Sequence, residues 1–296
     1  MILHKYDAIR IIRYCRFGNN IYQLHNAIAF ARYYGIQTVY IDDMASILDL
    51  NPMFQACVLR DGLRISAKKP LSSDRIMAHK FFYPHEFNGM DISETADSKS
   101  IFAEISKHIL QIKTAGTSNY IHAHIRSGDI FVRRRPKINY TQPPLAFYQK
   151  AVLNCIASGK YKGVVVCYED DLNPVSLELV PWLNSQGITN KTQSSKFKHD
   201  FANLITARCL IAGKGSLIPM IACLSGKIEK LCVFREVDVP NIIEKCSVPV
   251  ETYIDLDGMY IGKDDWQISG LKGEQHNQQL KQLISYPMEQ ICIKHQ

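Results

Sequence analysis

The sequence predicts an α/β protein of the doubly wound type. Three observations carry this. The chain opens with a strand, a loop, a long helix and a second strand between Ile9 and Asp43. A second strand–helix series starts near Thr117 and runs on to Leu224. The length, 296 residues, suits two modest α/β domains or one large one and is enough for a sizeable core. Alternation of this kind favours parallel strands joined by helices.

The elements follow in order. "AIRIIRYC" is rich in β-branched and aromatic residues and reads as a strand. "RFGNN", Arg16 to Asn20, is expected to be a loop in which Gly18 permits a tight turn and Asn19 or Asn20 caps the next helix. "IYQLHNAIAFARYYG" places Ile21, Leu24, Ile28 and Ala31 at helical spacing, and Gly35 is a good stop. "QTVYIDD" is the second strand. Residues Asn51 to Asn88, with Pro70 and Pro84, read as irregular. "KSIFAEISKHILQIK" reads as a helix.

The second series begins with the strand "NYIHAHIR". "PPLAFYQKAVLNCIASG" is a helix with prolines in its first turn, and "YKGVVVCYEDD" a strand ending in acids. "HDFANLITAR" is a helix with Asp200 as its expected N-cap, and "CLIAGKGS" a strand and turn. "SLIPMIACLSG" is a helix with Ser216 as N-cap. Later, "VPVETYIDLDGMYIG" reads as a strand or hairpin piece and "EQHNQQLKQLISY" as a helix. The domain boundary is set between Lys113 and Ser118, giving an N-terminal domain 1–116 and a C-terminal domain 117–296. The last fifty residues are compatible with either domain.

Composition narrows the function classes. Apolar residues make up 46% and charged residues 21%, which is ordinary for a soluble globular protein. Lys+Arg exceed Asp+Glu by 35 − 28 = +7, a surplus that favours an anionic ligand such as a nucleotide or phosphate ester. Nucleic-acid binding would rest only on that surplus and on "RRRP", Arg133 to Arg135, and lacks interleaved aromatics or a known module. The nine cysteines are scattered, odd in number and free of C-x-x-C, so they read as reduced, buried thiols in a reducing, cytoplasmic setting. No segment reads as a signal peptide, and the longest apolar stretch, "CLIAGKGSLIPMIACLSG", is broken by Gly213, Lys214, Gly215 and Pro219, so no transmembrane segment is expected.

Three stretches are candidates for chemistry. In "YIHAHIRSGD", strand alternation sends Ile121, Ala123 and Ile125 to one face and His122, His124 and Arg126 to the other. Gly128 breaks the strand and Asp129 lies in the loop beyond. Ligands of open α/β sheets bind outside the carboxyl ends of strands, where a guanidinium can grip phosphate oxygens. The plain alternative is an Arg126–Asp129 ion pair that only locks the turn. In "GKGS", Gly213 to Ser216, glycines allow close backbone approach, Lys214 adds charge and a helix N-terminus follows; the alternative is an ordinary strand-to-helix turn. The P-loop spacing is absent. In "RFGNN", amide side chains suit sugar hydroxyls as well as capping. "YEDD", with Glu169, Asp170 and Asp171, ends a neighbouring strand, while "DLD", Asp255 to Asp257, reads as a turn.

The order of these pieces resembles the α-1,2-fucosyltransferase family. "RFGNNIYQLHNAIAFARYYG" is similar to its GxGNQ loop and helix, "HIRSGD" to its H-x-R-R-G-D motif, and "QPPLAFYQKAV" to its Pro-Leu-x-Tyr-Tyr helix start. "VVVCYEDD" is similar to its strand ending in Ser-Asp-Asp, and "DFANLITARCLIAGKGSLIPM" to its Asp-x-x-x-Met helix and Ser-rich turn. The likeness is collinear from Ile9 to Leu224; each motif is loose, and their order gives the specificity. It implies a GT-B-like fold, with two Rossmann-type domains facing across a cleft. It also implies an inverting glycosyltransferase moving a sugar, GDP-fucose being the family's donor, onto a glycan hydroxyl. The family works without a metal or other cofactor.

Residue by residue, the resemblance makes Arg126 the diphosphate contact, with His124 and Asp129 the other fixed members of the motif. Arg126 and Asp129 become the catalytic candidates. His124, Arg126, Ser127, Gly128, Asp200, Lys214, Gly215 and Ser216 become donor-binding candidates, and Gly18, Asn19, Asn20 and His25 the acceptor or cleft candidates. Asp129, His124 and His25 are the options for a general base. Ser127 replaces the motif's second arginine, Asn20 its Gln and Arg16 its Gly. These departures keep open another nucleotide sugar, carrying xylose, galactose or mannose, and a non-catalytic nucleotide- or sugar-binding protein.

Overall fold

The structure, a computed structural model, describes residues 6–13, 16–42, 44, 56–70, 75–82, 97–109, 117–132, 141–194, 197–235, 240–260 and 274–294. The chain forms two compact units. One comprises Met1–Lys113 with Asn241–Ser247, the other Thr114–Pro240 with Val248–Gln296.

The first unit holds a five-stranded sheet of β1 (Ala8–Ile11), β2 (Thr38–Tyr40), β3 (Ala56–Val58), β4 (Arg64–Ser66) and β5 (Ile76–His79), in the order β3-β4-β2-β1-β5. All pairs are parallel except β3 with β4. Helix α1 (Phe17–Tyr34) follows β1 and is buried from Phe17 to Ala31 except at Asn19 and Tyr22. It ends at Gly35, whose φ of +69° suits the left-handed cap that glycine adopts without strain. Arg32 ties α1 to Asp61 at 2.7 Å and to Glu104 of α2 (Ser98–Ile109) at 3.0 Å.

Two expectations for this unit are corrected. Helix α1 starts at Phe17, because Phe17 is a buried core residue rather than part of a loop. Gly18, Asn19 and Asn20 therefore lie inside the first turn, and the N-cap position is Arg16. The stretch read as irregular holds β3, β4 and β5, which are only three or four residues long and mostly half-exposed or exposed. Strands so short leave no readable alternation.

The second unit holds seven strands: β6 (Ile121–Ile125), β7 (Val164–Tyr168), β8 (Asn190–Gln193), β9 (Cys209–Ala212), β10 (Lys230–Phe234), β11 (Val250–Asp255) and β12 (Ile291–Ile293). Their order is β12-β11-β10-β9-β6-β7-β8, parallel throughout except for the antiparallel edge strand β12. Counted from its own first strand, β8 through β11 run 3-2-1-4-5-6, the Rossmann order. The helices are α3 (Asp129–Val132), α4 (Leu145–Ile156), α5 (Pro174–Ser185), α6 (Phe197–Leu204), α7 (Leu217–Ser225) and α9 (Glu274–Ser285); α8 (Pro240–Lys245) is the helix that the chain returns to the first unit.

One face of the larger sheet is covered by α4 and α5. Ile121, Ala123, Ile125, Val164, Val166 and Ile211 meet Phe147, Val152 and Leu179 there. The Phe147 ring lies 5.6 Å from Phe234 and 5.5 Å from Tyr253, in edge or tilted contacts that aromatic rings favour. Among the described residues, no helix is long and apolar enough to cross a membrane.

Candidate functional site

The sheet of the second unit changes direction between β6 and β9. The chain runs outward through β7 and β8 on one side, then returns to build β9, β10 and β11 on the other. At such a switch point the loops after the two central strands part, which opens a crevice at their carboxyl ends. Here those loops are Arg126–Asp129 after β6 and Gly213–Ser216 after β9.

The two loops touch. The Gly213 N–H donates to the carbonyl of His124 in β6 at 2.8 Å, which carries the β6–β9 ladder one rung past Ala212 and sets Gly213 beside Arg126. A Cβ at Gly213 would stand 2.8 Å from both the Arg126 nitrogen and the His124 carbonyl oxygen. Only a glycine allows this approach. Gly215, at φ +131°, turns the backbone on toward α7. Lys214, Gly215 and Ser216 are partly exposed at the start of that helix. Ser216 holds the N-cap position, but its side chain makes no capping bond to α7.

The β7 loop joins them. Gly128 has φ +71°, and a Cβ there would meet Glu169 Oε2 at 2.5 Å. Arg126 Nη1 lies 3.6 Å from Glu169 Oε2, with the arginine side chain 15% and the carboxylate 48% exposed. Arg126 thus has Glu169 as an ionic partner at this turn. Asp129 opens α3, and its side chain lies outside the described residues, as do Arg133 to Arg135.

Ser127 was expected to touch the nucleotide. It is instead wholly buried, and its hydroxyl donates to Asp170 Oδ1 while accepting the Asn173 N–H at 3.1 Å. Asp170 also receives the Gly128 N–H at 3.3 Å and the Leu172 N–H at 3.0 Å. A short hydroxyl fits this closed knot, where a second arginine would not. Asn173 escaped the sequence reading. It caps α5 through Val175 N–H at 3.1 Å and donates from Nδ2 to the Arg126 carbonyl at 2.9 Å. The signal was there, an Asn followed by a Pro at a helix start.

Three histidines, His25, His122 and His124, are held neutral. Burial, reinforced by the charge of Arg126, lowers His124 to about 3. Its Nδ1 is buried with no hydrogen-bond partner among the described residues. His122 is lowered to about 4 by burial; its Nδ1 donates to the Tyr120 carbonyl at 3.2 Å and its Nε2 lies 3.1 Å from Thr117 Oγ1. His25 belongs to the first unit. Burial lowers it to about 4, and its ring stacks on Phe102 at 4.7 Å with Nδ1 3.0 Å from Asn26 Oδ1. It is a core histidine, and an imidazole so shifted is a poor general base at neutral pH.

Asp200 is corrected too. α6 begins three residues earlier, at Phe197, which packs on Phe201 one turn on at 6.0 Å. Asp200 therefore sits in the first turn and accepts from Gln193 Nε2 at 2.8 Å, tying α6 to the end of β8. Asp255 closes the end of β11, accepting from Tyr260 N–H at 2.7 Å and from the Tyr286 hydroxyl. Asn20 is buried beside Gln23, whose Nε2 donates to it at 3.4 Å.

The structure thus brings Arg126, Gly128, Glu169, Gly213 and Lys214 to one edge of the second unit. It gives Ser127, Asp170 and Asn173 the task of holding that edge. Set against protein-family models and curated proteins, the chain matches none.

Proposed function

We propose that the chain is a glycosyltransferase of the GT-B type whose second unit binds a nucleotide-sugar donor at the β6–β9 switch point. The observation that carries the reading is the close approach of the two loops there, Gly213 lying so near Arg126 that a Cβ on it would stand 2.8 Å from the Arg126 nitrogen. Two loops far apart in sequence meet where α/β sheets of this order hold phosphates. The donor sugar that the resemblance favours is fucose carried on GDP, and the acceptor is a glycan hydroxyl.

The chemistry is a single displacement. The acceptor oxygen bonds to the anomeric carbon as the bond from that carbon to the diphosphate oxygen breaks. The acceptor proton leaves to a base, and charge grows on the departing phosphate. Fixed donors stabilise that charge, and removal of one commonly costs about a hundredfold or more in rate. Arg126, Lys214 and the N–H groups at the start of α7 fill this role. His25 is a buried core residue and His124 lies within β6 with its Nδ1 buried, so Asp129, just beyond the end of that strand, is the base this reading assigns.

The Arg126–Glu169 pair fits the same scheme as a resting state, the phosphate displacing a half-exposed carboxylate. A partly exposed pair of this kind is worth about 1 kcal/mol or less, which a diphosphate readily overcomes.

Calorimetry with GDP, UDP and CMP, followed by transfer assays with the matching nucleotide sugars, tests the proposal. Binding of one nucleotide that weakens at least tenfold in Arg126→Ala is expected. Binding without turnover on any acceptor would turn the reading toward a non-catalytic nucleotide-binding protein. Full activity in Arg126→Ala would remove the site assignment.

A further inference from the structure

Three cysteines that are far apart in sequence converge inside the second unit. Cys155 comes from α4, Cys209 from the first position of β9 and Cys232 from the middle of β10. All three are buried, at 1%, 0% and 0% exposure. Cys155 Sγ lies 3.5 Å from Cys209 Sγ and 3.9 Å from Cys232 Sγ, and all three sulfurs fall within 4.8 Å of one another.

These spacings have a chemical meaning. A zinc–thiolate bond of about 2.3 Å places sulfurs about 3.8 Å apart in a tetrahedral site and about 4.0 Å apart in a trigonal one. Three apolar side chains in van der Waals contact have no reason to converge on one point. The sulfurs here lie within a few tenths of an ångström of those separations at Cys155–Cys209 and Cys155–Cys232, and the third pair is within 4.8 Å.

The surroundings are polar, unlike the rest of that core. Glu251 Oε1 lies 3.9 Å from Cys232 Sγ and accepts from Asn154 Nδ2 at 2.9 Å and from the Tyr253 hydroxyl at 2.5 Å. Its other oxygen pairs with Lys230 Nζ at 3.0 Å. A carboxylate held by three other side chains thus stands beside Cys232, in the place that hydrogen-bonding partners of the ligands take at metal sites. Lys230 offsets the excess negative charge. The Lys230 and Glu251 side chains are 31% and 22% exposed, so the cluster lies one layer from solvent.

We infer that Cys155, Cys209 and Cys232 form a binding site for one thiophilic metal ion of the zinc or copper(I) type. Loading replaces the thiol protons, which pass to solvent. The site lies at the amino end of β9, four residues before Gly213, or about 13 Å along the strand. It is therefore separate from the proposed nucleotide edge, and it would brace α4 against β9 and β10.

The test uses the whole chain, freed of metal and kept reduced with a phosphine. Titration with Co²⁺ is expected to give one ion per chain, an intense thiolate-to-cobalt charge-transfer band, and release of protons. Zn²⁺ or Cu(I) should then abolish the band by displacement. Cys155→Ser and Cys232→Ser should each weaken binding by about a hundredfold or more, while Cys167→Ser, at a buried thiol of β7, should leave it unchanged. Should the cluster variants not fold, the wild-type titration still decides. Failure of Co²⁺, Zn²⁺ and Cu(I) to bind one-to-one overturns the inference. So does binding that survives loss of all three cysteines, or a chain that takes no metal when reduced and forms a Cys155–Cys209 disulfide under mild oxidant.

Discussion

At the scale of single residues, two glycines of the candidate site invite opposite outcomes. Alanine at Gly128 meets the end of a half-exposed Glu169 side chain that can swing away, so the main cost is the positive φ, about 1–2 kcal/mol. Alanine at Gly213 meets only backbone, the Arg126 nitrogen and the His124 oxygen, and nothing there can yield. Gly213→Ala should therefore be the more damaging, about 2–3 kcal/mol in urea unfolding, and should also part the two loops and weaken nucleotide binding. Glu169→Gln removes the competitor for Arg126 and should tighten binding of a nucleoside diphosphate by about two- to fivefold, given the small worth of such a pair; an unchanged or weaker affinity in calorimetry would place Glu169 outside the phosphate path. The alternation of "YIHAHIR" was legible from sequence, since Ile121, Ala123 and Ile125 do face the core. The partner of Arg126 was not, because Glu169 comes from another strand and only the β6–β7 pairing brings it there.

At the scale of elements, the end of β6 is held in place by α5. Asn173 both caps that helix and carries the Arg126 carbonyl, so Asn173→Ala should lose the cap and a buried bond together, about 1–2 kcal/mol by thermal or urea unfolding. Nucleotide affinity should fall with it, since the Arg126 backbone loses its anchor; a normal affinity would show that the loop holds itself. Long elements with clear periodicity, such as α1, α4 and β7, were readable in the sequence. Their starts were less so. Phe17 and Phe197 both look like loop aromatics beside polar neighbours, yet each is the first residue of a helix, and Phe17 is drawn there by burial in a core the sequence does not display. Strands β3, β4 and β5 have too few residues to show a period, so only pairing defines them: β5 with β1, β4 with β2, and β3 with β4. The three-cysteine cluster escaped for a related reason: its members share no local spacing, and only the packing of α4 on β9 and β10 assembles them.

At the scale of the whole molecule, stability is tied to pH through two buried imidazoles, His25 and His122, and the half-buried His124. His25 and His122 are lowered to about 4 and His124 to about 3, all below the unfolded value of 6.5. The unfolded chain then binds more protons than the folded one between about pH 6.5 and pH 4, so stability is complete above 6.5 and falls as the pH drops through that window. Each histidine should contribute a loss of about 1–2 kcal/mol by pH 5. Urea unfolding at pH 7 and pH 5 measures this, and His25→Gln should flatten the dependence; an equal slope would mean that His25 is already protonated in its core. The doubly wound class was legible from the alternation of elements, whereas the 3-2-1-4-5-6 order depends on which strands pair and so was not. The return of Asn241–Ser247 to the first unit was equally hidden, for it is a single short helix set between two strands of the other sheet. That detour has a consequence for biogenesis. Ile242 and Ile243 are buried members of this segment, so the leading unit lacks part of its interior until the ribosome has also produced β6 to β10. A nascent chain released before Ser247 should leave a first unit that is protease-sensitive, and the two halves should gain resistance together rather than one after the other.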